Sequence, residues 1–178
     1  TKTPQGILCL VRQKQYSITE IVKEKGGELP LLLVLDQIQD PGNLGTIVRT
    51  AEGAGVTGIV MSQDCVDMYN PKVVRSTMGA AYRVPFCYVE DLAEEVMKMK
   101  EAGICTYAAH LEGKNSYDEE DYCKASAFLI GNEGNGLRDE VADQAQVYIR
   151  IPMKGQVESL NAAVATAILI FEAARQRR

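Results

Sequence analysis

No apolar run in this 178-residue chain is long enough to span a bilayer. The longest, residues 162–171, lies near the C-terminus, the wrong end for a secretory signal, so a cytoplasmic location is the default expectation. Cysteine chemistry is equally sparse. Cys9, Cys65, Cys87, Cys105 and Cys123 contain no C-x-x-C pair, and an odd count leaves one over. Set mostly in apolar runs, they read as buried free thiols in a reducing compartment, and no zinc or other metal site is written. Histidine occurs once, as His110. Excess positive charge is missing too: 19 Lys and Arg against 24 Asp and Glu give a net charge of −5 and a pI near 5.0. That removes overall basicity as an argument for nucleic acid but does not exclude it, because binding follows local potential. Many acids fall in residues 90–101 and 112–121, while Arg49, Lys72, Arg75 and Arg83 gather in the first half. Repeats and low-complexity linkers are absent, and the length suits one domain with a sizeable core.

What is present is an alternation of two periodicities. Residues 31–35, 58–61, 86–89, 104–109, 127–130 and 147–151 are short and rich in branched or aromatic side chains, and they read as strands. Near-continuous hydrophobicity in 31–35 predicts a strand buried on both faces, as in a parallel sheet. Leu44, Ile47, Val48, Ala51 and Ala54 lie on one face of a helix that Gly53 or Gly55 can end. Asp91 to Ala102 follows the same logic, with Asp91 as cap, Leu92, Val96 and Met99 inward, and Gly103 as terminator. The fold class is therefore α/β, with a mainly parallel sheet and helices on both faces. The last helix, beginning with Ser159 as cap, is apolar almost all round. Such a helix is buried on several sides, either as the centre of a monomer or at a subunit interface; the interface is the stronger expectation, with Ile168 and Ile170 among its outward positions.

Two loop-forming stretches follow strand-like runs, where open α/β sheets bind ligands. Asp40-Pro41-Gly42-Asn43-Leu44-Gly45 leads into Arg49 and Ala51, and Gly131-Asn132-Glu133-Gly134-Asn135-Gly136 follows residues 127–130. The glycine order of the second is neither the dinucleotide fingerprint nor a P-loop, and by itself it reads as a turn. Its partner is the segment after residue 150, Ile151-Pro152-Met153 and then Ser159-Leu160-Asn161. Two such loops side by side can hold a flat base and a sulfonium through main-chain groups.

Together, D-P-x-N-x-G-x-x-x-R-x-A, G-x-E-G-x-G, and I-P-M with S-L-N resemble, in order, the three signature motifs of the SpoU/TrmH RNA ribose methyltransferases of the SPOUT class. The resemblance runs from about Leu31 to Arg175 and implies a C-terminal trefoil knot, which no compositional argument would predict. It implies S-adenosylmethionine as cofactor, held by Gly131, Ile151 and Leu160, with Ala109, His110 and Leu111 as further pocket candidates. It implies catalytic roles for Asn43, Arg49, Glu133, Ser159 and Asn161, with methyl transfer to a ribose 2′-hydroxyl of RNA. Ribosomal RNA ranks ahead of transfer RNA by family frequency. Ala162 stands where the family's commonest pattern has valine, which touches only packing.

Each residue also has a plainer reading. Asn43 sits where an amide caps a helix, and Ser159 is a natural cap. Arg49 lies six positions on, roughly 240° around the helix, where an arginine is usually solvated or paired, here with Glu52. A lone His110 at a strand end is usually structural. Arg49 remains protonated in a protein, so anchoring a phosphate and stabilising a developing alkoxide suits it better than acting as a base. Two other functions fit the same fold: methylation of an RNA base, which the Asn43–Arg49 pairing argues against, and a non-catalytic RNA- or partner-binding relic, which should have lost motif residues. A homodimer is expected. Residues 1–30 read as a linker and entry segment left by an N-terminal RNA-binding domain, with residues 31–178 forming the methyltransferase domain.

Overall fold

The computed structural model describes residues 6–7, 10–24, 26–132 and 134–178. Seven strands form one sheet in the order β3-β2-β1-β6-β4-β7-β5, and every neighbouring pair is parallel. They are β1 (Leu31–Leu35), β2 (Gly58–Ser62), β3 (Phe86–Val89), β4 (Cys105–Ala109), β5 (Asn115–Ser116), β6 (Ser126–Ile130) and β7 (Val147–Arg150). Six were expected within a residue at either end; β5, two residues long and on the sheet edge, carries too little pattern to be read from sequence. All five residues of β1 are buried, as its unbroken hydrophobicity requires.

The side chains of β1 divide by parity. Leu31, Leu33 and Leu35 enter a cluster with α2 (Pro41–Ala54) and α6 (Ala162–Gln176), whereas Leu32 and Val34 join one with α4 (Leu92–Glu101), α5 (Asp139–Ala142) and Ile21 of α1 (Ile18–Ile21). Helices therefore cover both faces. Asp40 caps α2 by accepting Asn43 N–H at 2.8 Å, and Gly55, at φ +79°, ends it. Asp91 caps α4 in the same way. The short α3 (Pro71–Ser76) packs on α2.

Three expectations need correction. Asn161, not Ser159, caps the final helix: its Oδ1 accepts the N–H groups of Ala163 at 2.9 Å and Val164 at 3.3 Å. Ile170, expected to face outward, is fully buried; the exposed apolar residues of α6 are Val164 and Phe171. The thiols are not uniformly buried either. Cys65 is, Cys87 and Cys105 are half-buried, Cys123 is exposed, and Cys9 lies outside the described residues. Burial raises the Cys65 thiol pKa and pushes that of Cys87 up to about 11, which keeps both protonated and inert. Among the described residues no helix is long and apolar enough to cross a membrane.

Candidate active site

Because all strands run in parallel, β1, β4, β6 and β7 end at one edge of the sheet. The chain leaves β1 toward β2 on one side, while strands laid down later fill the other, so the order of the strands reverses at the β1–β6 boundary. Ligands bind at such switch points. A cavity of about 660 Å³ opens beside this boundary, past the ends of β6, β4 and β7. Its size suits a nucleoside-sized ligand. Ala109, His110 and Leu111 line it after β4, Gly131 after β6, and Ile151 and Leu160 at the two ends of the segment after β7. All six expected cofactor residues thus share one cavity, and Ser159 lines it as well.

The glycine loop is closed on itself. Asn132 and Gly136 exchange backbone hydrogen bonds at 3.0 and 2.8 Å, and Asn132 Oδ1 accepts Gly134 N–H at 2.8 Å. A Cβ on Gly131 would lie 2.1 Å from Gly136 C and Leu137 N, so only glycine permits this closure. Across the cavity, residue Gly113 fits the β4–β5 connection tightly over β7, where a Cβ would lie 2.6 Å from Ile149 C. His110 Nδ1 accepts Glu112 N–H at 3.2 Å, and its ring lies 5.1 Å from that of Tyr148. Half-buried and locally bonded, His110 is a wall of the cavity.

Helices α2 and α6 lie side by side in the same direction. At their N-termini Asn161 Nδ2 donates to Asn43 Oδ1 at 3.0 Å, joining the first and third motifs across 118 residues. Asn161 therefore uses its oxygen as a cap and its nitrogen as a bridge. Further along, Phe171 of α6 approaches to 3.9 Å of a Cβ built on Gly53 of α2. There Arg49 borders a second, shallow depression of about 530 Å³, shared with Thr46, Ser76, Met78 and Phe171. Arg49 is exposed, and its side chain has no hydrogen bond or ion pair among the described residues. The proposed partner, Glu52, is committed elsewhere: it forms a bidentate pair with Arg83, which holds its carboxyl pKa below the ordinary value. Arg49 rises about 9 Å along α2 beyond Asn43 and does not line the first cavity. Glu133 lies outside the described residues.

Sequence reasoning overlooked a buried ion pair beneath the glycine loop. Asp36, fully buried, accepts from Arg138 N at 3.0 Å, Nε at 3.0 Å and Nη2 at 2.8 Å. A carboxylate directly after five apolar strand residues was the available signal, since such a group needs a partner. The partner's identity, 102 residues away, was not readable.

Comparison with known proteins agrees with this geometry. Residues 30–171 match the model of the SpoU rRNA methylase family. The chain belongs to this family. It is 37% identical over 164 residues to the 23S rRNA (guanosine-2′-O-)-methyltransferase RlmB of Xylella fastidiosa, covering 92% of this chain and 66% of that protein. To RlmP of Bacillus subtilis, a 23S rRNA (guanosine(2553)-2′-O)-methyltransferase, it is 33% identical over 171 residues, 96% of this chain and 65% of the relative. Among solved structures, the AdoMet-bound rRNA methyltransferase of Sinorhizobium meliloti superposes with a TM-score of 0.82 at 37% identity, over 92% of this chain and 61% of that one. The SpoU methyltransferase AviRb of Streptomyces viridochromogenes, in complex with AdoMet, gives 0.83 at 31% identity, over 92% and 66%. This SpoU chain thus spans about two thirds of the length of the curated relatives it matches.

Proposed function

We propose that this chain carries out S-adenosylmethionine-dependent methylation of a ribose 2′-hydroxyl in ribosomal RNA, in the cytoplasm and as a homodimer. The observation that carries the reading is the convergence of Gly131, Ile151, Leu160, Ala109, His110 and Leu111 on one cavity. Bound there, the cofactor would supply an electrophilic methyl group on sulfonium. The C-terminal trefoil knot belongs to the same reading, with the segment after β7 threaded beneath the connection between β4 and β5.

The reaction is an in-line displacement, and the chain's task is to position the hydroxyl, favour loss of its proton and exclude water. Asn43 and Asn161, locked together at 3.0 Å, stand beside the cavity at Leu160 and Ala162 and are placed to orient the ribose. Glu133 and Ser159 complete the polar set by motif position. Arg49, unpaired and exposed, would bind the neighbouring phosphate and stabilise charge developing on O2′. Within one chain it faces a separate depression, so a substrate must span both sites or a second copy must bring Arg49 to the cavity. The homodimer reading supplies that copy. Val164 and Phe171 on α6, with nearby Met78, leave an apolar face that a monomer would expose to water.

Titration calorimetry with S-adenosylmethionine or S-adenosylhomocysteine tests the reading. Binding is expected. Tight binding of ATP or a nicotinamide with no binding of either adenosyl compound would overturn it.

A further inference from the structure

We propose that Asp36 and Asn132 are positioning residues that hold the glycine loop, residues 131–137, in its ligand-ready shape; the proposal rests on the reading of that loop as part of the cofactor site. The two ends of the loop are pinned to adjacent residues beyond β1, the entry to Gln37 and the exit to Asp36. At its entry, Asn132 Nδ2 donates to Gln37 O at 3.0 Å, while Asn132 Oδ1 accepts from Gly134 N at 2.8 Å. One amide therefore folds the turn with its oxygen and anchors it with its nitrogen. At the exit, the backbone N–H and guanidinium of Arg138 close on the buried Asp36 carboxylate. Gln37 itself sits at φ +55°, a left-handed conformation that a side-chain-bearing residue rarely adopts. The surroundings hold it there: Gln37 N donates to Ser62 Oγ at 3.0 Å, and Ile38 N to Cys65 Sγ at 3.3 Å. Backbone kept in a sparsely populated conformation by converging bonds marks a place where geometry matters to function. Here the bend aims Gln37 O at Asn132 on the loop that borders the cavity.

Neither residue needs to touch the ligand. Asp36 is fully buried and acts only through Arg138, and loop closure through Asn132 presents the main-chain groups of Gly131, Asn132, Gly134, Asn135 and Gly136 to the cavity already ordered. Pre-ordering removes a conformational cost from binding.

The test measures S-adenosylhomocysteine affinity and apo-protein melting together. Asn132→Ala should weaken affinity by roughly tenfold, the scale of one lost hydrogen-bond hub, while melting stays within a few degrees of wild type. Asn132→Asp keeps the turn-folding acceptor but loses the donor to Gln37 O, and should fall between the two. Asp36→Asn keeps an acceptor for Arg138 N without the charge, and should weaken affinity again; if it fails to fold, Arg138→Gln takes its place. Wild-type affinity in the Asn132 variants, or a loss of affinity matched by collapse of apo melting, would overturn the proposal. A wild-type chain that binds no adenosyl ligand would instead strike the cofactor reading itself.

Discussion

The glycine loop 131–137 and the segment 151–160 border the same cavity, yet the first is bonded to itself and to Asp36 and Gln37, whereas residues 153–160 make no hydrogen bond among the described residues. All of 152–159 is exposed. Fixing a residue's backbone costs about 1–2 kcal/mol, so a ligand that orders even part of the second segment meets a large opposing term. The first segment has already met it during folding. In the proposed site this contrast would divide the labour: the glycine loop would provide a fixed floor, and the segment after β7 would decide how tightly a ligand on it is covered.

Breaking the floor should have the largest effect. Gly131→Val introduces a Cβ where 2.1 Å separates it from the Gly136 backbone, and calorimetry should detect no S-adenosylhomocysteine binding. Retained binding would mean that the closed loop is dispensable. Arg49 provides the control outside both segments. Arg49→Ala should lower turnover on RNA by roughly 10² to 10³ with cofactor affinity unchanged, and lysine should rescue it poorly because the forked geometry is lost. A fall in cofactor affinity would join two depressions that the geometry keeps apart. Light scattering addresses the face that α6 leaves open. The wild-type chain should be a dimer, and Phe171→Glu or Ile168→Glu should give monomer or aggregate; a monodisperse wild-type monomer would remove the second copy from the account. The contrast itself sharpens under hydrogen exchange. Cofactor should slow amide exchange across 153–160 and leave 132–136 nearly as it was, and equal protection of both would erase the distinction. The smallest effect is on stability: Asn161→Ala loses a helix cap and should cost about 1 kcal/mol, read as a lowered melting temperature, whatever it does to turnover through the lost bond to Asn43.

Legibility in the sequence followed the range of the interaction. Strands β1, β2 and β6 announced themselves because two-sided burial keeps them apolar but for a terminal serine in β2 and β6, Ser62 and Ser126. Helix α2 did so through its apolar face and Gly55. The start of α6 was misplaced because Ser159 and Asn161 are both good caps two residues apart, and only backbone geometry chooses between them. Asn161 adopts φ −52°, ψ 140° and turns its oxygen onto Ala163 and Val164. Ile170 was misjudged because an all-apolar helix carries no polar face to show which side meets water. At the site, Gly131, Ile151 and Leu160 were found by motif order. Which residues join in the Asn43–Asn161 bond and the Asp36–Arg138 pair, 118 and 102 residues apart, depends on how the sheet assembles, and no local pattern names the partners.

The most direct measurement is ribose-methylation mapping of total RNA, by resistance to alkaline cleavage, from cells with and without the gene. A 2′-O-methyl blocks the hydroxyl that alkaline cleavage needs, so its loss restores a cut at one nucleotide. The account predicts one such restored cut in ribosomal RNA, with base methylation unchanged. An unchanged cleavage pattern accompanied by loss of a base methyl group would contradict it.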